Sequence, residues 1–315
     1  MPTPHPTVSD SGTDRERVAE RLLAASHAHA FDPITDVDWD APLVDGAYFL
    51  PAHRVSLYGT PLWERMSERQ RVDLSRHEVA SMASVGIWFE VVLMQLLIRH
   101  VYDRPLTSRH VQYAFMEIAE ECRHSTMFGR LIDKLECPEY GPGPYAHMAA
   151  RAMKTFGSGV QAFAMALIAE EVLDTMQREM TADESLQPIT RQTARIHVIE
   201  EARHVRYARD EVARGAPHLS RAERAITRLA LARAAHIIAT RLVHPGVYAA
   251  VGLDSAEAYR AARANPHRLD TLAHWSRRLI GFYDEQGLLG GPGLRLWRAS
   301  GLMGRQEPSP ARRRV

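Results

Sequence analysis

Cysteine is scarce. Cys122 and Cys137 are the only two in 315 residues, too few for a disulfide framework and not spaced as a CxxC pair. Such usage fits a reducing cytoplasm, the expected location. Neither sign of charge is in excess: Lys+Arg is 39 against Asp+Glu 38, a net charge of +1. No one-signed field is present to attract nucleic acid or an anionic membrane surface, and neither is an expected partner. Long hydrophobic runs are missing too. The longest, Val85 to Leu97, is interrupted by Glu90 and Gln95 and falls short of the roughly 20 residues of a membrane span. Met1 to Gly12 contain Pro, Ser and Thr but no apolar stretch, so they do not read as a signal peptide. Alternating strand patterns are almost absent.

What is present is helical periodicity, punctuated by Pro and Gly at a few places. A first amphipathic helix is expected at 13–29. Residues 30–60 hold Pro33, Pro42, Gly46, Pro51 and Gly59 and read as a wrapping segment. Long helices are expected at about 67–101, 108–136, 145–183 and 189–214, with Thr107 and Ser108 available to cap the second. Ser220 and Glu223 have capping-box spacing and open a helix to about 242. Shorter helices are expected at 255–264 and 267–286. Two long helical pairs separated by a break, Pro138 to Pro144, are the pattern of a ferritin-like four-helix bundle. The expected fold is therefore all-α, with such a bundle as core and additional N- and C-terminal helices. One domain is expected over 13–290, with residues 1–12 disordered and 291–315, ending in Arg312, Arg313 and Arg314, weakly ordered.

The chemistry sits on an internal echo. Glu120-Glu121-Cys122-Arg123-His124 returns as Glu200-Glu201-Ala202-Arg203-His204, placing an EE-x-R-H unit on the second and fourth long helices. Glu121 and His124 lie on one helical face, within reach of one metal ion. His197, Glu201 and His204, at spacings of four and three, form one stripe of two imidazoles and a carboxylate. The other two long helices bring carboxylates embedded in apolar sequence: Glu90 on one, Glu170 and Glu171 on the other. A bare buried carboxylate costs several kcal/mol, so such a group is protonated, paired or metal-bound. One Glu from each of two helices and one Glu-x-x-His from each of the others is the ligand set of di-iron and di-manganese carboxylate bundles. Hard oxygen donors with a few imidazoles suit iron or manganese and argue against structural zinc. Arg123 and Arg203 read as partners between helices, and Glu120 and Glu200 as acceptors that orient an imidazole. Each of these four also fits ordinary surface pairing. Tyr207 reads either as facing the site or as packing.

With His197 added, the His-x-x-x-Glu-x-x-His of the fourth helix resembles the di-iron arylamine N-oxygenases, the p-aminobenzoate N-oxygenase type, over roughly residues 50–245. The resemblance implies Glu90, Glu121, His124, Glu170, His197, Glu201 and His204 as metal ligands. It selects Glu170 by its spacing from His197, with Glu171 as the fallback. It implies two iron ions, dioxygen as co-substrate, and oxidation of an aromatic amine through hydroxylamine and nitroso to nitro product, as in antibiotic biosynthesis. No catalytic residue beyond the metal site and no nicotinamide or flavin fingerprint is found, so a separate reductase or small-molecule reductant is the expected electron donor. The sequence before Glu90 (Val85, Gly86, Ile87) has no Arg or Tyr to hold a substrate carboxylate, a departure from the p-aminobenzoate type. Leu93, Met94, Phe163 and Leu167 are candidate pocket walls, or plain core. Competing readings are a di-iron oxidase or hydroxylase acting at carbon, iron storage, and a metal-free helical interaction protein. A homodimer is the default oligomer.

Overall fold

The computed structural model describes residues 10–157 and 159–304. Among these there is no strand, and the chain is all-α. Helix α1 spans Asp10–Ala28, and the wrapping segment leads to the short α2, Pro61–Arg65. The four long helices are α3 (Glu68–Val101), α4 (Arg109–Lys134), α6 (Gly159–Ala182) and α7 (Pro188–Gly215), with α5 (Pro144–Phe156) between the pairs. Then come α8 (Arg221–Arg241), α9 (Gly246–Ala250), α10 (Ser255–Ala264), α11 (Pro266–Trp275), α12 (Arg277–Glu285) and α13 (Leu294–Ser300).

Local chemistry fixes where these helices begin. Ser67 and Gln70 close a capping box on α3, and Ser220 and Glu223 close another on α8. Ser108 accepts from the Val111 N–H at the start of α4. Each cap is worth about 1 kcal/mol. Glu16 of α1 adds a second cap, accepting from the backbone N–H groups of Arg109 and His110 at 2.7 and 3.4 Å.

In the bundle α3 packs chiefly on α4, and α6 on α7. Helix α1 lies across α4 and α7, while α5 lies on α3 and α8 on α6. The middle of α3 is buried almost continuously from Leu74 to Gly86. This helix is long and apolar enough to cross a membrane, but 67% of its most apolar window is buried inside the protein. Its hydropathy is that of a central core helix. The wrapping segment is held by side chains that reach into it. Gln187 bonds the backbone of Val44 and Ala47, and Arg54 makes a two-pronged ion pair with Glu179 at 2.8 Å.

Four expectations change. The single helix at 145–183 is two helices. Gly157 ends α5 in extended backbone, and Gly159 starts α6 with φ +51°, a conformation that favours glycine. The helix at 267–286 is broken at Ser276, whose hydroxyl turns to the Leu302 carbonyl at 2.5 Å. Residues 291–304, expected to be weakly ordered, form a 3-10 turn and α13 against α8. Trp297 and Leu302, each 1% exposed, supply the burial that secures them. At the other end α1 begins at Asp10, inside the segment expected to be disordered. Residues 1–9, Arg312, Arg313, Arg314 and the rest of 305–315 lie outside the described residues.

Candidate metal centre

The seven residues singled out in the sequence converge on the core between the four long helices. Glu90 comes from α3, Glu121 and His124 from α4, Glu170 from α6, and His197, Glu201 and His204 from α7. None is more than 4% exposed. The ligand atoms of Glu121, His124, Glu201 and His204 all lie within 4.8 Å of one another. Glu121 is central: one oxygen is 3.0 Å from Nδ1 of His124, the other 2.8 Å from Nδ1 of His204. Glu201 approaches Nδ1 of His204 at 3.3 Å and Nε2 of His197 at 3.5 Å. Glu90 lies 3.7 Å from the same Nε2.

The outer side of each imidazole is fixed. Nε2 of His124 meets Glu200 at 2.8 Å, and Nε2 of His204 meets Glu120 at 2.7 Å. A carboxylate only accepts, so each Nε2 carries the proton and each Nδ1 presents its lone pair to the centre in the neutral ring. The bonds run crosswise, from the histidine of one EE-x-R-H unit to the first glutamate of the other. Arg203 bonds Glu120 at 2.7 Å, and Arg123 reaches Glu200 at 3.5 Å. His197 is oriented the other way. Its Nδ1 donates to the amide oxygen of Gln177 at 2.7 Å, leaving Nε2 to face the carboxylates.

Facing groups are left without partners. Both oxygens of Glu170 and of Glu201, one each of Glu90 and Glu121, Nδ1 of His204 and Nε2 of His197 are buried and make no hydrogen bond. Unpaired buried polar atoms are rare because each costs about 1–3 kcal/mol. So many around one point, all metal-donor types, fit a bound cation pair. Glu171 is different: Arg209 holds both its oxygens, at 2.7 and 2.6 Å. Between the two adjacent glutamates, Glu170 is the one free to face the centre.

The proton balance says the same. Burial, reinforced by Glu121 and Glu201, holds Glu90 well above the ordinary carboxylate range. Burial, with Glu201, Glu117 and Glu121, does so for Glu170. Burial alone would push Glu121 up, but the His204 and His124 charges outweigh it and hold Glu121 well below. Conversely, burial would lower His124, yet Glu121 and Glu200 raise it to about 9. His204 is raised well above its ordinary value against the same penalty. The cluster has more carboxylate than its own cations neutralise, and divalent ions would supply the remainder.

Three neighbours escaped the sequence reading. Glu117 is 1% exposed, one turn before Glu121 on the inward stripe of α4. Burial, with Glu121 and Glu201 nearby, holds it well above the ordinary range. Tyr113, one turn earlier, is fully buried with no partner for its hydroxyl. Gln177, which orients His197, lies two turns after Glu170. Helical spacing from the ligands was the available signal in each case. Tyr207 turns away from the centre and hydrogen-bonds His110 at 3.2 Å.

His110, His100 and Glu211 make a second compact cluster, of another character. Glu211 is taken by Arg15. Burial, with Arg104, Arg15 and Arg214 around, holds both histidines down to about 3.

A cavity of about 410 Å³ lies outside the bundle, where α5 and α8 cover α3 and α6. Trp88, Phe89, Met153, Met165 and Ile237 are among its walls. None of Leu93, Met94, Phe163 and Leu167, read from the sequence as pocket walls or plain core, lines it. Leu93 and Leu167 are core, Phe163 packs against His100 and Tyr207, and Met94 lines a separate surface groove.

The outer carboxylates give a direct test. Glu200→Gln and Glu120→Gln remove the charge behind each imidazole, and iron affinity is expected to fall by roughly 10–100-fold in each. Competition with a chelator measures it, and unchanged affinity in both would mean the crosswise bonds do not serve the metal.

An all-α bundle with a buried, doubled Glu-x-x-His set of this kind is a ferritin-like carboxylate–histidine protein. The family described as P-aminobenzoate N-oxygenase AurF matches residues 12–287, and the chain belongs to that family, one of di-iron N-oxygenase enzymes. This bears out the resemblance drawn from the sequence. Among similar proteins are an uncharacterised protein of Mycobacterium tuberculosis and one of Mycobacterium bovis. Each is 29% identical over 211 residues, 64% of this chain. The chain spans 62% of the length of these relatives.

Proposed function

We propose that this chain is a di-iron mono-oxygenase that oxidises the nitrogen of an aromatic amine, with Glu90, Glu121, His124, Glu170, His197, Glu201 and His204 holding the metals. The observation that carries the reading is the third imidazole. His197 is fixed by Gln177 and aims Nε2 at Glu90 and Glu201, the feature that sets the N-oxygenase pattern apart from ordinary di-iron bundles. Four carboxylates and two divalent ions balance in charge, which suits the surplus of acid found here. Bound iron supplies the redox chemistry that activates dioxygen.

The chain's own residues do the rest. Glu200 and Glu120 hold the imidazoles of His124 and His204 in one tautomer. Phe128 packs on His197 at 5.0 Å between ring centroids and helps keep water out. Glu117, outside the ligand set, adds a further buried carboxyl one turn from Glu121. Electrons come from a separate reductase or a small-molecule reductant.

Product analysis tests the proposal. Iron-loaded protein, reductant and isotope-labelled dioxygen are incubated with a panel of arylamines. The expected products are hydroxylamine, nitroso or nitro compounds carrying label on nitrogen. Label on ring carbon alone would assign the scaffold to carbon hydroxylation instead. The absence of any labelled product across the panel would remove the oxygenase reading.

A further inference from the structure

The cavity between α3, α5, α6 and α8 has an asymmetry that the metal site does not explain. Its walls are almost wholly apolar, yet Arg233 of α8 also lines it. The guanidinium lies 5.3 Å from the ring centroid of Tyr145, across the cavity on α5. Arg233 is exposed, and among the described residues no carboxylate pairs with it. One face of the guanidinium is therefore spent on a ring, while its N–H edges are free. That geometry suits two-pronged recognition of a carboxylate.

The opposite end is walled by the helices that carry two of the assigned ligands. Phe89, next to Glu90 on α3, and Met165, upstream of Glu170 on α6, line the cavity. They are 6% and 4% exposed and close its inner side. The space runs from the helices that carry Glu90 and Glu170 outward to an unpaired cation. Its volume lies within the roughly 300–1,000 Å³ that takes drug-sized ligands, more than a single aromatic ring needs.

We infer that this cavity is the substrate site, and that the substrate is an extended amphipathic amine. Its apolar body lies against Trp88, Phe89 and Met165, and its carboxylate end is held by Arg233. The choice of an amine rests on the oxygenase reading above; the cavity and its cation do not. The absence of Arg or Tyr in the turn before Glu90 is then expected, because the anionic end is met far from that turn, on a helix outside the four-helix core.

The test is calorimetric titration of iron-loaded protein, without air, using phenylbutyrate and phenylbutanol. These probes share an apolar body, differ in charge and carry no nitrogen. Phenylbutyrate is expected to bind at least about tenfold tighter. Arg233→Gln should erase that preference and leave the alcohol unchanged, while Arg233→Lys keeps part of it. Ala234→Phe, which fills the cavity, should weaken both. Thermal melts and iron content show that each variant is folded and loaded. Equal binding of the two probes by the native chain would overturn the inference. So would an intact preference in Arg233→Gln, or unchanged binding in Ala234→Phe. The two readings fail separately: the expected titrations with no N-oxidised product would sink the oxygenase alone, and N-oxidation with charge-blind titrations would sink the cavity assignment alone.

Discussion

Glu121→Gln is expected to leave the helices intact and to empty the metal site. Its two oxygens lie 3.0 Å from Nδ1 of His124 and 2.8 Å from Nδ1 of His204, so under the proposed assignment it is the carboxylate that would be shared between the metals. Glutamine has the same shape but no charge, and its amide nitrogen carries no lone pair for a metal. Iron is expected to drop from about two per chain, the stoichiometry of such bundles, to below about one. Dioxygen-dependent turnover should fall by more than about 100-fold, beyond the range of an outer partner. Glu170→Gln should behave alike. Glu171→Gln, which removes only a partner of Arg209, should keep its iron. Elemental analysis of the three proteins decides it. Full iron in Glu121→Gln, or loss in Glu171→Gln with retention in Glu170→Gln, would overturn the ligand assignment.

Metal loading is expected to change both the stability of the protein and its dependence on pH. In the metal-free protein His124 is raised from 6.5 to about 9. A group raised on folding adds stability that is complete below its unfolded value and is lost as pH climbs through the folded one. His204, raised well above its ordinary value, acts in the same sense. So do Glu90, Glu117 and Glu170, whose neutral forms suit the core. His197 is held below its ordinary value by burial, then by the His124 charge; its contribution is present above pH 6.5 and lost below. Glu120 is lowered to about 2, because His204 and Arg203 outweigh burial, and its contribution is lost only in strong acid. Between pH 6.5 and 9 the metal-free protein therefore loses stability. The loss is on the order of a few kcal/mol, since each tenfold difference in proton affinity between folded and unfolded chain is worth about 1.4 kcal/mol.

Iron reverses this, because it takes the place of those protons. Loading should release protons, bind more tightly as pH rises, and raise the melting temperature by on the order of 10 °C. The gap between loaded and metal-free protein should widen from pH 6.5 to 9. Anaerobic calorimetric scans of both forms would measure it. A metal-free protein more stable at pH 9 than at 6.5, or a gap that narrows, would contradict the assignment of the cluster.

The candidate centre was legible because five of its seven assigned ligands are written at helical spacing. Glu121 and His124, or His197, Glu201 and His204, announce a stripe without reference to the rest of the chain. Glu90 and Glu170 announce themselves by standing in apolar sequence, where a carboxylate needs a reason. Glu117 was missed because it has no histidine mate, only a place one turn upstream. The cavity was missed for a different reason. It is made where α5 and α8 cover α3 and α6, so residues as distant in sequence as Trp88 and Arg233 meet only in the folded chain. Apolar positions beside the ligands could not show which faced a space and which faced core. The break between α5 and α6 was also overlooked, because the apolar pattern continues on both sides of Gly157 and Gly159. The C-terminal helix was underestimated because its anchoring depends on Trp297 and Leu302 finding remote surfaces.

The crosswise bonds from His124 to Glu200 and from His204 to Glu120 have a consequence for how the protein came to be built and how it changes. Neither copy of the repeated unit is complete by itself: each owns a ligand whose buttress is stored in the other. A fragment holding α3 and α4 would keep three of the assigned ligands and lose the support for its imidazole. Sliding one helical pair past the other by a single residue would unseat both imidazoles at once. The repeat thus works as a mutual lock, and substitutions in one half are answerable to the other.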